Sequence, residues 1–320
     1  MLKNKILSSL LAINIFIAGC LFFNFTNEDA IKQESDFRKN YHVHALHLPE
    51  NFSFAGEKFN FKDAEVAERF DREVMVNTYW QSQTLITLKK IHRWFPVIEP
   101  ILKENSLPDD FKYLAVAESN LSNAVSPSGA AGFWQFMPAA AREYNLTINT
   151  EVDERYHLEK ATMAACNYLK QSKQTFGSWM LAAASYNMGV DGVQKALTTQ
   201  KVTNYDDLLL NEETSRYLFR IAAIKYIYEN QRQMGYNLQP YDLYDPYTFQ
   251  MITVDSSITD LAQFAINQGV NYKKLKLLNP WLRNNSLTNV EKKVYQVKIL
   301  KEAKTFRMYN DSFFKADSLK

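Results

Sequence analysis

The residue whose surroundings point most directly to chemistry is Glu118. A helix is predicted over residues 108–119, and its apolar side carries Phe111 and Leu114. Glu118 lies seven residues beyond Phe111, nearly two turns on, so it shares that inward face. It also falls in the last turn, beside unpaired carbonyls and the negative end of the helix dipole. Desolvation and the dipole both oppose the anion, so the pKa is expected to rise. A carboxyl that stays protonated near neutrality can act as general acid on a glycosidic bond. Taken alone, the same Glu also reads as a helix-end residue turned to solvent or paired with Lys112. Ordinary glycosidases use two carboxylates, yet between Glu118 and Glu143 there is no Asp or Glu at all. Asp153 and Glu154 follow in a segment that reads as a structural turn.

Glu118 has ordered company. Glu118-Ser119-Asn120 is followed by the loop Ser126-Pro127-Ser128-Gly129-Ala130-Ala131-Gly132, then by Gly132-Phe133-Trp134-Gln135-Phe136-Met137-Pro138, then by Ala184-Ser185-Tyr186-Asn187-Met188-Gly189. Glu-Ser, Gly-x-x-Gln and Tyr-Asn-x-Gly in this order resemble the signature of the family 1 lytic transglycosylases, goose-lysozyme-like enzymes that cut peptidoglycan glycan strands. The resemblance covers roughly residues 60–235. Ser185 departs from the Ala usual in the family, and Phe133-Trp134 from the Leu-Met common elsewhere in the superfamily; neither touches the Tyr-Asn pair. The resemblance implies that Glu118 protonates the bridging oxygen and then deprotonates the sugar's own 6-hydroxyl, closing a 1,6-anhydro ring. It implies substrate-binding roles for Ser119, Gln135, Tyr186, Asn187 and Tyr217, and neither cofactor nor metal. Ser119 also reads as a helix-end cap and Tyr217 as a packed aromatic. Trp134, Phe136 and Trp179 have the chemistry to stack on sugars, although packing suits Phe136 and Trp179 better. A goose-type hydrolase on the same fold and a non-catalytic peptidoglycan-binding protein are the alternative functions.

The elements that must hold these residues are mainly α. Helical spacing runs from Lys62 to Met234, with helices expected at 63–92, 108–119, 138–145, 158–176, 178–188 and 212–233. Pro96 and Pro100 suggest that one helix ends near Phe95 and another follows. Pro108 and Pro138 sit where a first helical position would be, and Gly189 and Gly192 read as stops or turns. The expected organisation is an export signal or anchor over 1–25, a tether and irregular collar over 26–60, a lysozyme-like helical catalytic domain over 61–236 and a linker over 237–248. A small module over 249–301 and a polar tail over 302–320 complete it.

The module reads β-α-α-β, with strands at Phe249–Val254 and Val294–Ile299. Thr253-Val254-Asp255-Ser256 and Leu275-Lys276-Leu277-Leu278-Asn279-Pro280 resemble a LysM domain, the small fold that binds N-acetylglucosamine-containing glycans. Val254 replaces the usual Gly of that loop. Lys273, Lys274, Lys292 and Lys293 give the module a basic surface able to attract acidic stem peptides.

At the other end, Lys3 and Lys5 precede the apolar run Ile6–Ile17, which reads as an export signal. Ile17-Ala18-Gly19-Cys20 resembles a lipobox, making Cys20 a lipidation candidate. Apolar residues continue to Phe25, long enough for an uncleaved helix, and simple cleavage is a third outcome. Each outcome puts the rest of the chain outside the cytoplasm, in the cell envelope and facing the periplasm. Cys166 is the one other cysteine, so no disulfide forms within the exported body. His42, His44 and His47 lack a carboxylate or Cys to complete a metal set. A formal net charge of +2 over 320 residues excludes the basic stripe of a nucleic-acid binder, and 14% aromatics suit an apolar cleft with polar edges. The partners expected are therefore peptidoglycan strands and a membrane through the N-terminus.

Overall fold

The computed structural model describes residues 43–302. The chain divides into two compact units, residues 1–47 and 48–320. Of the first, residues 43–47 are described; Cys20, the run Ile6–Phe25 and His42 lie outside the described residues, as does the tail from 303. No helix among the described residues is long and apolar enough to cross a membrane.

The second unit begins with a two-residue-per-strand hairpin, β1 (Ser53–Phe54) and β2 (Glu57–Lys58), turning through Ala55 and Gly56 at positive φ. This part of the expected irregular collar is a structural wedge. Phe54 is fully buried and meets Phe111 edge-on at 5.3 Å. Glu57 reaches 121 residues along the chain to accept from the Ser178 hydroxyl (2.6 Å) and the Met180 amide (3.1 Å). Burial pushes the Glu57 carboxyl up, but those donors, the Trp179 amide and Lys173 outweigh it and leave it below the ordinary value. Glu57 thus caps a helix from a distant segment, a pairing no local pattern reveals.

Helix α1 (Ala64–Tyr79) is capped by Asp63, whose side chain accepts from the Glu65 amide at 2.9 Å, and buries Val66, Phe70 and Val74 at helical spacing. Helix α2 (Gln81–Glu104) runs unbroken through Pro96 and Pro100. The expected break near Phe95 is absent for a physical reason. The prolines are four apart on an exposed face with His92, so the carbonyls they leave unpaired stand on the solvent side. The opposite face, with Ile91, Phe95, Ile98 and Leu102, is buried and holds the axis. The chain breaks instead at Trp80, between α1 and α2.

A 3-10 turn (Asp109–Phe111) leads into α3 (Lys112–Ser119), which ends with Asn120 and Leu121 both at φ 50°. Then come α4 (Pro138–Glu143), α5 (Leu158–Phe176), α6 (Trp179–Met188), α7 (Val190–Gln200) and α8 (Glu212–Glu229). The limits expected for α5 agree with those observed. Helix α7 was not anticipated: Gly189 does turn the chain at φ 81°, but Gly192 sits inside the new helix, packed on Met188. Helix α6 buries Met180 to Ser185 without a polar stripe, as expected of a helix surrounded by others, and Ala182–Ala184 let its neighbours approach closely.

The C-terminal module is an antiparallel pair, β3 (Thr248–Val254) and β4 (Tyr295–Glu302), with α9 (Leu261–Asn267) and α10 (Tyr272–Leu278) between them in sequence. Val254 pairs with Tyr295 and Ile252 with Val297. Asn279 is fully buried; its side chain donates to the Leu275 and Lys298 carbonyls and accepts from the Lys298 amide, locking α10 to β4.

The module is not a separate bead. The Asp153 amide donates to the Trp281 carbonyl (2.9 Å), and the Arg283 amide to the Glu151 carbonyl (2.7 Å). The Glu151 carboxylate accepts from Ser286 and Thr288, and Glu159 pairs with Lys298. Ala131, Val152 and Tyr156 of the helical part share one apolar cluster with Trp281, Leu282 and Val297. The stretch read as a linker lies along α2: Arg93 donates to the Asp245 carbonyl (2.9 Å) and stacks its guanidinium 4.4 Å above the Tyr247 ring.

Candidate active site

Glu118 projects from the last turn of α3 into a cleft of about 440 Å³ whose walls come from α1, α2, α3 and α8. Sequence places the carboxyl there by turning the chain left-handed two residues after it, at Asn120. The Asn120 carbonyl takes a hydrogen bond from Lys90 (2.9 Å), and its side chain accepts from Thr87 (2.5 Å). The surrounding walls withdraw Glu118 from water, and this burial raises its pKa to about 7 against the lowering pull of the Tyr217 hydroxyl and the Arg220 charge. The direction agrees with the expectation from the helix face, with desolvation as the leading cause.

Tyr217, from α8, donates its hydroxyl directly to Glu118 Oε1 across 99 residues of chain. It is 3% exposed, and burial together with the facing carboxylate pushes its own pKa well above the ordinary value, so it stays a donor. The remaining residues singled out in the sequence are tied by hydrogen bonds into the scaffold around the site. Ser119 Oγ donates to the Phe133 carbonyl (2.9 Å) and accepts weakly from the Ser122 amide (3.3 Å). Gln135, at φ 48°, donates from its amide to the Gly132 (2.8 Å) and Ala124 (3.0 Å) carbonyls. The Tyr186 hydroxyl donates to the Trp134 carbonyl at 2.8 Å. Asn187 accepts from the Thr214 hydroxyl (2.7 Å) and so ties α6 to α8 rather than reaching Glu118. Trp134 is 0% exposed with its indole N–H on Thr162, which removes it from sugar stacking.

The loop itself is built around Gly132. Its φ is 83°, and a Cβ placed there would stand 1.9 Å from the Arg155 carbonyl oxygen. Arg155 is held in turn by both oxygens of Asp153 and donates to the Gly129 and Phe136 carbonyls. Asp153 therefore has the structural role its sequence context suggested.

Four cleft residues escaped the sequence reading. Trp80 is 60% exposed at the α1–α2 break. Arg216 and Arg220 flank Tyr217 at helical spacing on α8, and that spacing was the available signal. Glu73 is a second carboxylate in the wall, 1% exposed, with Arg72 and Arg216 each 2.7 Å from its Oε1. Among the described residues no group of three His, Cys, Asp or Glu side chains is set to hold a metal ion.

Replacing Tyr217 by Phe is expected to lower cleavage on the order of tenfold, since a hydrogen bond to a carboxyl is lost. It should also move the Glu118 ionisation upward, because the phenol was favouring the anion. An unchanged pH–rate profile would count against this geometry.

Two family models match parts of the chain. Residues 95–209 match the family described as transglycosylase SLT domain, and residues 250–303 that described as soluble lytic transglycosylase C-terminal LysM-like domain. The chain is built of an SLT transglycosylase domain followed by a LysM-like domain. It is homologous to membrane-bound lytic murein transglycosylase D of Escherichia coli K12, 29% identical over 192 residues, which cover 58% of this chain and 42% of that one. The chain thus spans less than half the length of that curated relative. Among solved structures, the lytic transglycosylase Slt of Pseudomonas aeruginosa matches at 21% identity and TM-score 0.37, covering 47% of this chain and 26% of its own. The 70 kDa soluble lytic transglycosylase of Escherichia coli matches at 17% and 0.39, covering 56% and 33%. Trp80, Glu73, Tyr217 and Arg220 lie outside the matched range 95–209, so part of the cleft wall belongs to flanking helices.

Proposed function

We propose that this chain is a lytic transglycosylase that cuts the β-1,4 bond between N-acetylmuramic acid and N-acetylglucosamine in peptidoglycan, leaving a 1,6-anhydromuramic end. The observation that carries this reading is a carboxyl poised near neutrality on Tyr217, while the other acid of the cleft wall, Glu73, is occupied by guanidinium groups.

Glu118 donates its proton to the bridging oxygen as the C1–O bond breaks, and the muramic acetamido group stabilises the cation-like centre from within the substrate. The ionised Glu118 then takes the proton of the 6-hydroxyl while O6 bonds to C1. One proton is lent and recovered, and water is not consumed. An internal nucleophile gains the orientation advantage of an intramolecular step. Tyr217 holds the carboxyl, Ser119 and Gln135 brace the loop facing it, and Tyr186 and Asn187 fix α6 against that loop and α8. The cell envelope is the proposed location, with the N-terminus as the membrane tether through Cys20 or an apolar helix. The LysM-like module, from about 249 to 301, is proposed to hold glycan beside the catalytic domain of about 61–236.

Digestion of purified sacculi in heavy-oxygen water tests the reaction. Unlabelled anhydromuramic ends are expected by mass spectrometry. Reducing ends carrying the label would make the enzyme a hydrolase, and no release at all would leave a binding protein.

A further inference from the structure

The cleft wall made by α1 and α8 holds more positive charge than its buried carboxylate can balance. Glu73 Oε1 receives both Arg72 and Arg216 at 2.7 Å. Its Oε2 faces Arg220 Nε at 3.9 Å, beyond hydrogen-bonding reach. Arg216 has a second partner in Glu212 at 3.7 Å. Arg220 is different: its side chain is 32% exposed, and its guanidinium has no hydrogen bond among the described residues. It nevertheless lines the same cleft as Glu118, close enough for its charge to act on that carboxyl.

A guanidinium held on a packed helix with its donors unspent is suited to accept a carboxylate from solution, bidentately and with little reorganisation. In a peptide-bearing strand the lactyl carboxyl of each muramic residue is tied up as an amide, so the sugars themselves offer no such group. The acidic part of the polymer is the stem peptide, attached through the lactyl ether of the muramic residue, one of the two sugars flanking the bond to be cut.

We infer that Arg220 is a specificity-determining residue that binds a carboxylate of the stem peptide, so that the enzyme selects strands with acidic stem peptides over strands whose peptide carboxylates are masked as amides. The inference rests on the reading of Glu118 as the acid that cuts the glycan, and it adds which strands are cut. The selecting group would then sit in the catalytic cleft, not on the basic face of the C-terminal module.

The test compares kcat/KM on two soluble substrates: glycan strands bearing stem peptides, and the same strands with the peptide carboxylates converted to amides. Wild-type enzyme is expected to prefer the strands with free carboxylates by about tenfold, a preference that narrows as salt is raised. In Arg220→Gln the ratio should fall toward one, chiefly through KM on the strands with free carboxylates. Arg220→Lys, which keeps the charge without the fork, should recover part of the ratio. Any effect of the lost charge on Glu118 falls on both substrates and cancels in the ratio. A ratio unchanged in Arg220→Gln overturns the inference. A parallel binding measurement uses Glu118→Gln with and without Arg220→Gln, so the question is answered even if the single variant does not turn over. Equal binding of both strands by Glu118→Gln also overturns it. Failure of the wild type to cut either strand would sink the proposed function, a distinct outcome.

Discussion

Glu118→Gln is expected to abolish strand cleavage and, above neutrality, to make the protein more stable. Loss of a general acid alone costs about 10²- to 10⁴-fold in rate, and here the same group serves again as base. The stability gain follows from linkage. Burial holds the Glu118 proton in the folded state up to about pH 7, whereas an exposed Glu releases it near pH 4.5. The folded chain therefore binds the proton more tightly than the unfolded chain. Its stability from this group is complete below pH 4.5 and declines as pH rises through 7. The full difference amounts to about 3 kcal/mol. Glutamine carries no titrating proton, so the variant should match wild type in acid and exceed it by up to that amount at pH 8. Denaturant titrations at several pH values measure this, and a constant offset across pH would contradict it. The same ionisation should govern activity, with kcat/KM level below about pH 6 and falling tenfold per unit above 7.

Gly132→Ala is expected to cost about 4 kcal/mol or more in stability, a large effect for the addition of one methyl group. Two causes combine. The backbone at φ 83° disfavours any L side chain, and the new Cβ would fall 1.9 Å from the Arg155 carbonyl oxygen. Arg155 cannot yield easily, since its guanidinium is clamped by Asp153 and by the Gly129 and Phe136 carbonyls. Whatever fold survives would shift the Gly132 carbonyl that holds Gln135, so residual activity should fall with stability. An unfolding free energy from urea titration within about 1 kcal/mol of wild type would show that the loop is softer than its contacts imply.

Local signals were legible where one helix carried them. The limits of α5 follow from periodicity, and the inward face of Glu118 follows from its spacing to Phe111. What resisted reading depended on partners distant in sequence. The Tyr217 hydroxyl meets Glu118 across 99 residues, and Glu57 caps α6 across 121. Neither pairing leaves a mark in its own segment. The prolines of α2 misled because their cost depends on which side of the helix faces water, a tertiary fact. Trp134 misled for a similar reason: an aromatic within a motif is equally consistent with a sugar platform and with a core anchor, and Thr162 decided between them.

The seam between the C-terminal module and the helical domain has a practical consequence for anyone trimming the chain. Val152 bridges Leu282 in strand fashion, and Tyr156 and Ala131 complete the module's own apolar cluster. Cutting after residue 248 would therefore bare an oily scar and strand edge on the surviving fragment. Such a fragment would report on aggregation rather than on glycan affinity. The two parts are better regarded as halves of one solid object, altered side chain by side chain.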